Sequence, residues 1–250
     1  MLQVVPKGNL LNSHLDKKAI QKKYEEHSII QIENFFSDIY AEYLYNFFYN
    51  TIPSDMWCCV TYPNPNLNKD KSVYNVYKNR YLPTLQDNIK QGKKTAKDVF
   101  KFNLFAYIFD VTLDHDQETC NCVECQLRQH LASAEVLEFI YESIGEKVIR
   151  PLEIMVTRYT QGAFLAPHKD ANKGGFGFVY SLTKGWRAEW GGNLHFLNEK
   201  DWTLVERVIV PKYNLMTIFS LNNNQGKPHF VSEVSHAAST ERISVSGWYQ

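Results

Sequence analysis

Beyond Arg150 the chain breaks into short runs rich in Val, Ile, Phe, Tyr and Thr, separated by Gly, Asn or Pro: 153–159, 176–182, 192–197, 205–210, 215–220, 229–234 and 242–249. β-Branched and aromatic side chains suit a pleated, half-buried surface, and the closely spaced turn residues keep each run too short for a helix. Such a series predicts two facing sheets, and a jelly-roll barrel needs about eight strands in that arrangement. Residues 1–150 have a different texture. The charged stretch 16–27 reads as a surface helix and 28–32 as a short strand. Ser37 is placed to cap a helix over 38–49 that carries Ile39, Tyr43, Leu44 and Phe47 at helical spacing. Residues 62–71, rich in Pro and Asn, predict a loop, as does the basic stretch 90–97; the aromatic stretch 101–110 predicts a strand. Residues 131–144 have one apolar face and are followed by Gly145, which predicts an amphipathic helix with a glycine stop. No internal repeat or low-complexity linker divides the chain. The expectation is therefore an α+β protein forming a single domain over 1–250. Residues 1–150 supply a mixed support whose helices pack on one sheet, and 151–250 form a double-stranded β-helix, a jelly-roll or cupin-like barrel.

Charge and composition narrow the function. Lys+Arg and Asp+Glu are 27 each, so the formal net charge is zero. That argues against a general nucleic-acid or membrane-surface binder, because both need a positive field. No stretch approaches the roughly 20 apolar residues of a membrane helix. Residues 1–11 lack the apolar run of a secretory signal, and the cysteines are 5, an odd number. Reduced thiols and a cytoplasmic location are the expectation.

The chemistry concentrates at His168 and Asp170. On a strand, residues two apart face the same side, so both side chains can aim at one point inside a barrel. A His-x-Asp pair is common by chance and needs a third partner. His229, in a strand-like run entered through Pro228, and His236, in a loop-like run, are the main choices; His195 ranks third. A ligand is best held by a rigid element, which favours His229. Two imidazoles and one carboxylate on one face of a metal leave three positions open, the arrangement that suits Fe(II) with a chelating co-substrate and O2. Farther on, Arg242, Ser244 and Ser246 share one face of a strand whose other face is Ile243 and Val245. A buried Arg is costly unless paired, and a dicarboxylate can supply a bidentate partner.

Taken in order, these residues resemble a known family. The order is Arg158-Tyr159-Thr160-Gln161-Gly162, then His168-x-Asp170, Val179-Tyr180-Ser181-Leu182, Trp186, Gly191-Gly192-x-Leu194, Val210-Pro211, Phe219, His229-x-Val231 and Arg242 to Tyr249. It is similar to the prolyl-4-hydroxylase-type branch of the 2-oxoglutarate/Fe(II) oxygenases from Glu153 to the C-terminus. The resemblance implies that His168, Asp170 and His229 ligate Fe(II). It implies that Arg242 binds the distal carboxylate of 2-oxoglutarate, with Tyr159 as hydroxyl donor beside it and Ser244 on the same face. It further implies that O2 is consumed, that ascorbate serves as reductant, and that Trp248 is packing. The region 62–81 would cover the site, with Tyr74, Tyr77 or Arg80 touching substrate. The implied reaction is hydroxylation of a C–H bond, foremost in a prolyl residue of a peptide or protein, with release of succinate and CO2.

Other readings stay open at this level: a hydroxylase of a free amino acid or other small molecule, a catalytically silent barrel that only binds, or a zinc- or nickel-holding cupin hydrolase or isomerase, which would have no use for Arg242. Cys120, Cys122 and Cys125, flanked by His115 and His130, are candidates for structural zinc, although no second Cys-x-x-Cys pair accompanies them. Cys58 and Cys59 read as small apolar fillers.

Overall fold

The turn-punctuated runs of the C-terminal half become strands. The computed structural model describes residues 10–63, 72–74, 83–112, 120–170, 173–221 and 226–250. The first part holds α1 (Lys17–His27), β1 (Ile29–Glu33), α2 (Asp38–Asn46), β2 (Trp57–Tyr62), β3 (Ser72–Tyr74), α3 (Pro83–Lys101), β4 (Tyr107–Thr112), α4 (Val123–Leu131) and α5 (Ala134–Ile144). There follow β5 (Pro151–Tyr159), β6 (Phe164–His168), β7 (Phe176–Ser181), β8 (Leu194–Leu197), β9 (Val205–Ile209), β10 (Leu215–Ser220), β11 (His229–Val231) and β12 (Arg242–Tyr249).

The sheet runs β1-β10-β7-β12-β5-β4-β6-β11-β8-β9, with β2 and β3 paired alongside β4, and the pairs along it are antiparallel. It curls at β4. Asp110 and Val111 of that strand pair with Arg158 and Thr157 of β5, while Tyr107 and Ile108 pair with Leu165 and Phe164 of β6. One strand thus joins a larger sheet, β1-β10-β7-β12-β5, to a smaller one, β6-β11-β8-β9. Their inner faces share an apolar cluster that includes Tyr159, Leu215 and Phe219 from the first and Leu194, Phe196 and Val231 from the second. This is the curled, jelly-roll-like architecture the runs predicted.

The outer face of the larger sheet is covered by helices. Ile154, Val156, Phe178, Tyr180, Met216, Ile218, Ile243 and Val245 form one buried cluster with Ile20 of α1, Leu44 of α2, Leu127 of α4 and Phe139 of α5. Strand alternation then sends Arg242, Ser244 and Ser246 to the opposite, inner side, where all three border a cavity.

Three local expectations needed correction. Residues 90–97 belong to α3, not to a loop. Gly92 and Ala96 are buried on one side, and Ala96, with Ile89, Val99 and Phe100, packs beside Ile108 and Phe164 of the sheet. The lysines face outward and mask a narrow apolar stripe made largely of small residues. The same helix continues through Lys101, so the strand read over 101–110 begins only at Tyr107. The helix read over 131–144 is present as α5 but starts at Ala134: α4 ends at Leu131, and Ser133 caps α5 by accepting from the Val136 amide. Gly145 stops α5 in the left-handed region, as expected. Ser37 precedes α2 but makes no side-chain cap bond, and that helix closes in a π turn over Phe47–Thr51. Tyr77, Arg80 and His115 lie outside the described residues, as does the side chain of Tyr74.

Where the sheet curls, Arg158 and Asp110 form an ion pair at 2.8 Å, both side chains largely buried, with the guanidinium 4.5 Å from the Trp57 ring. Removing Asp110 takes away the buried partner of Arg158 and leaves the more exposed Glu241 at 3.6 Å. Asp110→Ala is expected to lower unfolding free energy by about 3 kcal/mol, measured by urea denaturation; a change below about 0.5 kcal/mol, the size of an ordinary surface substitution, would contradict it.

Candidate active site

His168 ends β6 and His229 begins β11, and the two residues lie directly opposite each other in the antiparallel pair. Their ring centroids are 4.4 Å apart. Asp170 follows just past the end of β6, so the strand alternation invoked for His-x-Asp applies to His168 alone, and the turn after it completes the geometry. Asp170 approaches Nε2 of His168 at 3.4 Å and Nε2 of His229 at 3.5 Å, and one ligand atom from each of the three residues falls within 4.8 Å of the others.

Both rings are oriented by the backbone. Nδ1 of His168 donates to the Ala166 carbonyl at 3.0 Å, and Nδ1 of His229 to the Lys227 carbonyl at 2.9 Å. A carbonyl can only accept, so Nδ1 carries a proton in each ring and Nε2 is the nitrogen turned toward the centre. Burial, with His168 beside it, pushes the His229 imidazole down to about 4, against the pull of Asp170. Burial alone would raise the Asp170 carboxyl; the His168 hydrogen bond, His229 and a bond from Trp248 outweigh it and hold it at about 2. At neutral pH His229 is neutral and Asp170 ionised, the forms in which they bind a metal.

Trp248 corrects an expectation. Its indole Nε1 donates to Asp170 Oδ2 at 3.0 Å, so it positions a candidate ligand as well as packing. The signal was available: Trp248 is the next member of the alternating series Arg242, Ser244, Ser246 on the inner face of β12. Trp248→Phe keeps most of the ring but deletes the donor. It is expected to weaken metal binding about 10–100-fold while leaving the circular dichroism spectrum unchanged, as read by metal titration. Unaltered affinity would assign Trp248 back to packing.

Arg242 begins β12 opposite Tyr159, the last residue of β5. Its guanidinium stands 4.7 Å from the centroid of the Tyr159 ring and is hydrogen-bonded to that residue, yet Nε and Nη1 have no hydrogen-bond partner among the described residues and the residue is 3% exposed. Burial lowers its pKa, opposed by Tyr159. Burial pushes the Tyr159 hydroxyl up to about 12 against the pull of Arg242, so it stays protonated. Ser244 also lines the cavity, and its Oγ is 3.0 Å from Thr157 Oγ1. The cavity, about 380 Å³, is bordered by His168, Asp170, His229, Arg242 and Ser244 together. Phe196 and Phe219 flank the His229 ring at 5.8 and 5.3 Å. At the turn into β8, Gly191 and Gly192 both take positive φ, and a Cβ on Gly191 would meet the Glu233 carbonyl at 2.0 Å. The glycine pair is therefore required by the close backbone approach.

The other two histidines are not brought in. In β8 it is Phe196 that stands opposite His229, so alternation turns His195 to the other face, stacked on Phe230 at 4.4 Å. His236 lies in a loop, its carbonyl accepting from Gln161.

Two imidazole nitrogens and one carboxylate, with nothing else from the described chain in their group, match the donor set of a non-haem Fe(II) centre. The buried guanidinium with two unspent donors fits the far carboxylate of a dicarboxylate co-substrate on the same cavity. Fold and donor set together define the class: a metal-dependent dioxygenase that takes 2-oxoglutarate. Residues 154–250 match the family model described as the 2OG-Fe(II) oxygenase superfamily. That family implies Fe(II), 2-oxoglutarate and O2. Two solved structures share the fold. A prolyl-4-hydroxylase from Pseudomonas putida is 15% identical at TM-score 0.50, covering 94% of this chain and 98% of that one. A 2OG-Fe(II) oxygenase-family oxidoreductase from Burkholderia pseudomallei is 13% identical at TM-score 0.56, covering 95% and 91%. No curated protein matches the sequence. No helix among the described residues is long and apolar enough to cross a membrane.

Proposed function

We propose that the chain acts as one catalytic unit that hydroxylates a prolyl residue in a peptide or protein, with Fe(II) held by His168, Asp170 and His229. Arg242 takes the distal carboxylate of 2-oxoglutarate, and Tyr159 and Ser244 complete that end of the pocket. The observation that carries this reading is the buried guanidinium with two unpartnered donors on the cavity that the triad borders. Bound iron supplies the oxidative chemistry, coupling decarboxylation of 2-oxoglutarate to hydroxylation of a C–H bond by O2. The protein's part is positional. The backbone carbonyls fix the two imidazoles and Trp248 fixes the carboxylate. Arg242 orients the dicarboxylate, and Phe196 and Phe219 keep bulk water from the His229 side.

The substrate reading rests on an aromatic ledge. Tyr62, Phe105 and Tyr107 adjoin one another with ring centroids 5.6–5.8 Å apart, and Phe105 lies 5.8 Å from the His168 ring. Phe102, Leu104 and Phe105 are exposed beside it. Aromatic ledges of this kind dock proline-rich extended peptides, and the fold likeness to the Pseudomonas putida prolyl-4-hydroxylase points the same way. A free amino acid would leave the ledge unused. An odd count of five cysteines suits a reducing compartment, the cytoplasm.

The test is succinate release from 2-oxoglutarate with Fe(II), with and without ascorbate, in the presence of proline-containing peptides and the same peptides with alanine. Gain of one oxygen on the prolyl residue is expected, and activity should decline over repeated turnovers when ascorbate is withheld. Oxygen gained equally by the alanine peptides, or only by free amino acids, would sink the prolyl assignment. Absence of iron-dependent succinate under every condition would favour a binding-only barrel.

A further inference from the structure

The second group of metal-ligating side chains lies away from the barrel, where the chain enters α4. Cys120, Cys122 and Cys125 bring their sulfur atoms within 4.8 Å of one another. Cys122 occupies the N-cap position of α4 without making a side-chain cap bond, and Cys125, in the first turn, is 2% exposed. Side-chain bonds also hold the loop: the Gln126 side-chain amide donates to the Asn121 carbonyl oxygen at 3.0 Å and to its side-chain oxygen at 3.2 Å, and Gln126 in turn accepts from the Tyr43 hydroxyl at 3.3 Å. Asn121, between the first two cysteines, is thereby fixed to the first turn of α4. The other two cysteines differ: Cys58 and Cys59 are buried in β2 and join no such group.

We propose that Cys120, Cys122 and Cys125 form a second metal site, separate from the barrel centre, that takes one thiophilic d10 cation. Three convergent thiolates are the donor set of Zn(II) with one further ligand such as water, or of Cu(I) in trigonal coordination; hard cations such as Mg(II) or Ca(II) do not choose sulfur. Sulfurs bound to zinc at about 2.3 Å stand about 3.8 Å apart, so the cluster needs only a small contraction. The positive end of α4 favours the negative charge that builds when three thiol protons leave and one cation enters. The site would tie the chain at Cys120 to α4, the helix packed against the larger sheet.

The experiment uses the full chain carrying His168→Ala, so that the barrel centre is disabled, reduced and stripped of metal under anaerobic conditions. Titration with Cd(II) is expected to saturate at one ion per chain with a sulfur-to-cadmium charge-transfer band. Alkylation followed by peptide mass spectrometry should find Cys120, Cys122 and Cys125 protected only when the ion is present. Cys122→Ser should weaken binding on the order of a hundredfold. If that variant does not fold, the protection pattern in the parent still decides. Competition with Zn(II) and with Cu(I) distinguishes the two candidate ions. No band, or equal alkylation of the three cysteines with and without metal, overturns the site. Because the His168→Ala background has no working barrel centre, failure here leaves the oxygenase reading intact, and failure of the oxygenase assay leaves this site intact.

Discussion

Asp170→Ala is expected to reduce iron-dependent succinate formation by at least a thousandfold. Asp170 is the one anionic member of the triad, and its two oxygens face the Nε2 atoms of both histidines and the Trp248 indole. Without it the centre is two imidazoles, which hold a divalent cation weakly, and the indole loses its acceptor. The ion would also lose the compensating charge that lets it reside in a largely buried site. The measurement is succinate release at saturating 2-oxoglutarate beside metal content per chain, and both should fall together. Retention of a tenth or more of the parent activity would place the iron elsewhere.

The second large effect separates co-substrate binding from metal binding. Arg242→Met is expected to raise the KM for 2-oxoglutarate a hundredfold or more while leaving metal affinity within about threefold. Two charge-assisted hydrogen bonds at about 1.5–3 kcal/mol each set that scale. Stability should move the other way. In the free protein the guanidinium is buried with two unspent donors, and replacing such a group by an apolar side chain of similar length is neutral or stabilising. The Tm of the variant without co-substrate should therefore equal or exceed that of the parent, and the rise in Tm that 2-oxoglutarate gives the parent should disappear. A variant that melts earlier yet still responds to 2-oxoglutarate would mean that Arg242 is a structural residue stacked on Tyr159 and nothing more.

Much of this was legible before any fold was known, for a reason that can be located. β12 carries its instructions in its own alternation: Ile243 and Val245 one way, Arg242, Ser244 and Ser246 the other, and the sheet obeys, with helices on the first face and the cavity on the second. Gly191-Gly192 had its place in the motif order, and the fold supplies the reason: only glycine tolerates the positive φ and the contact with Glu233. Two things were not legible. Helix α3 was hidden because its buried stripe is built of Gly92 and Ala96 among lysines, and small residues leave a weak apolar signal. The start of α5 was read early because the apolar pattern runs on across the single capping serine, Ser133.

The candidate site divides along the same line. Residue types and their order in the chain determined the donors, the cation for the dicarboxylate and the class of chemistry, because Fe(II) and a carboxylate demand particular atoms and those atoms belong to few side chains. Only the tertiary structure decided between His229, His195 and His236. That choice depends on which strand pairs with β6, in what register, and which face each residue presents there, and pairing between segments some sixty residues apart leaves no trace in local periodicity. Only the fold, likewise, brought Trp248 to Asp170 and three thiols to one point.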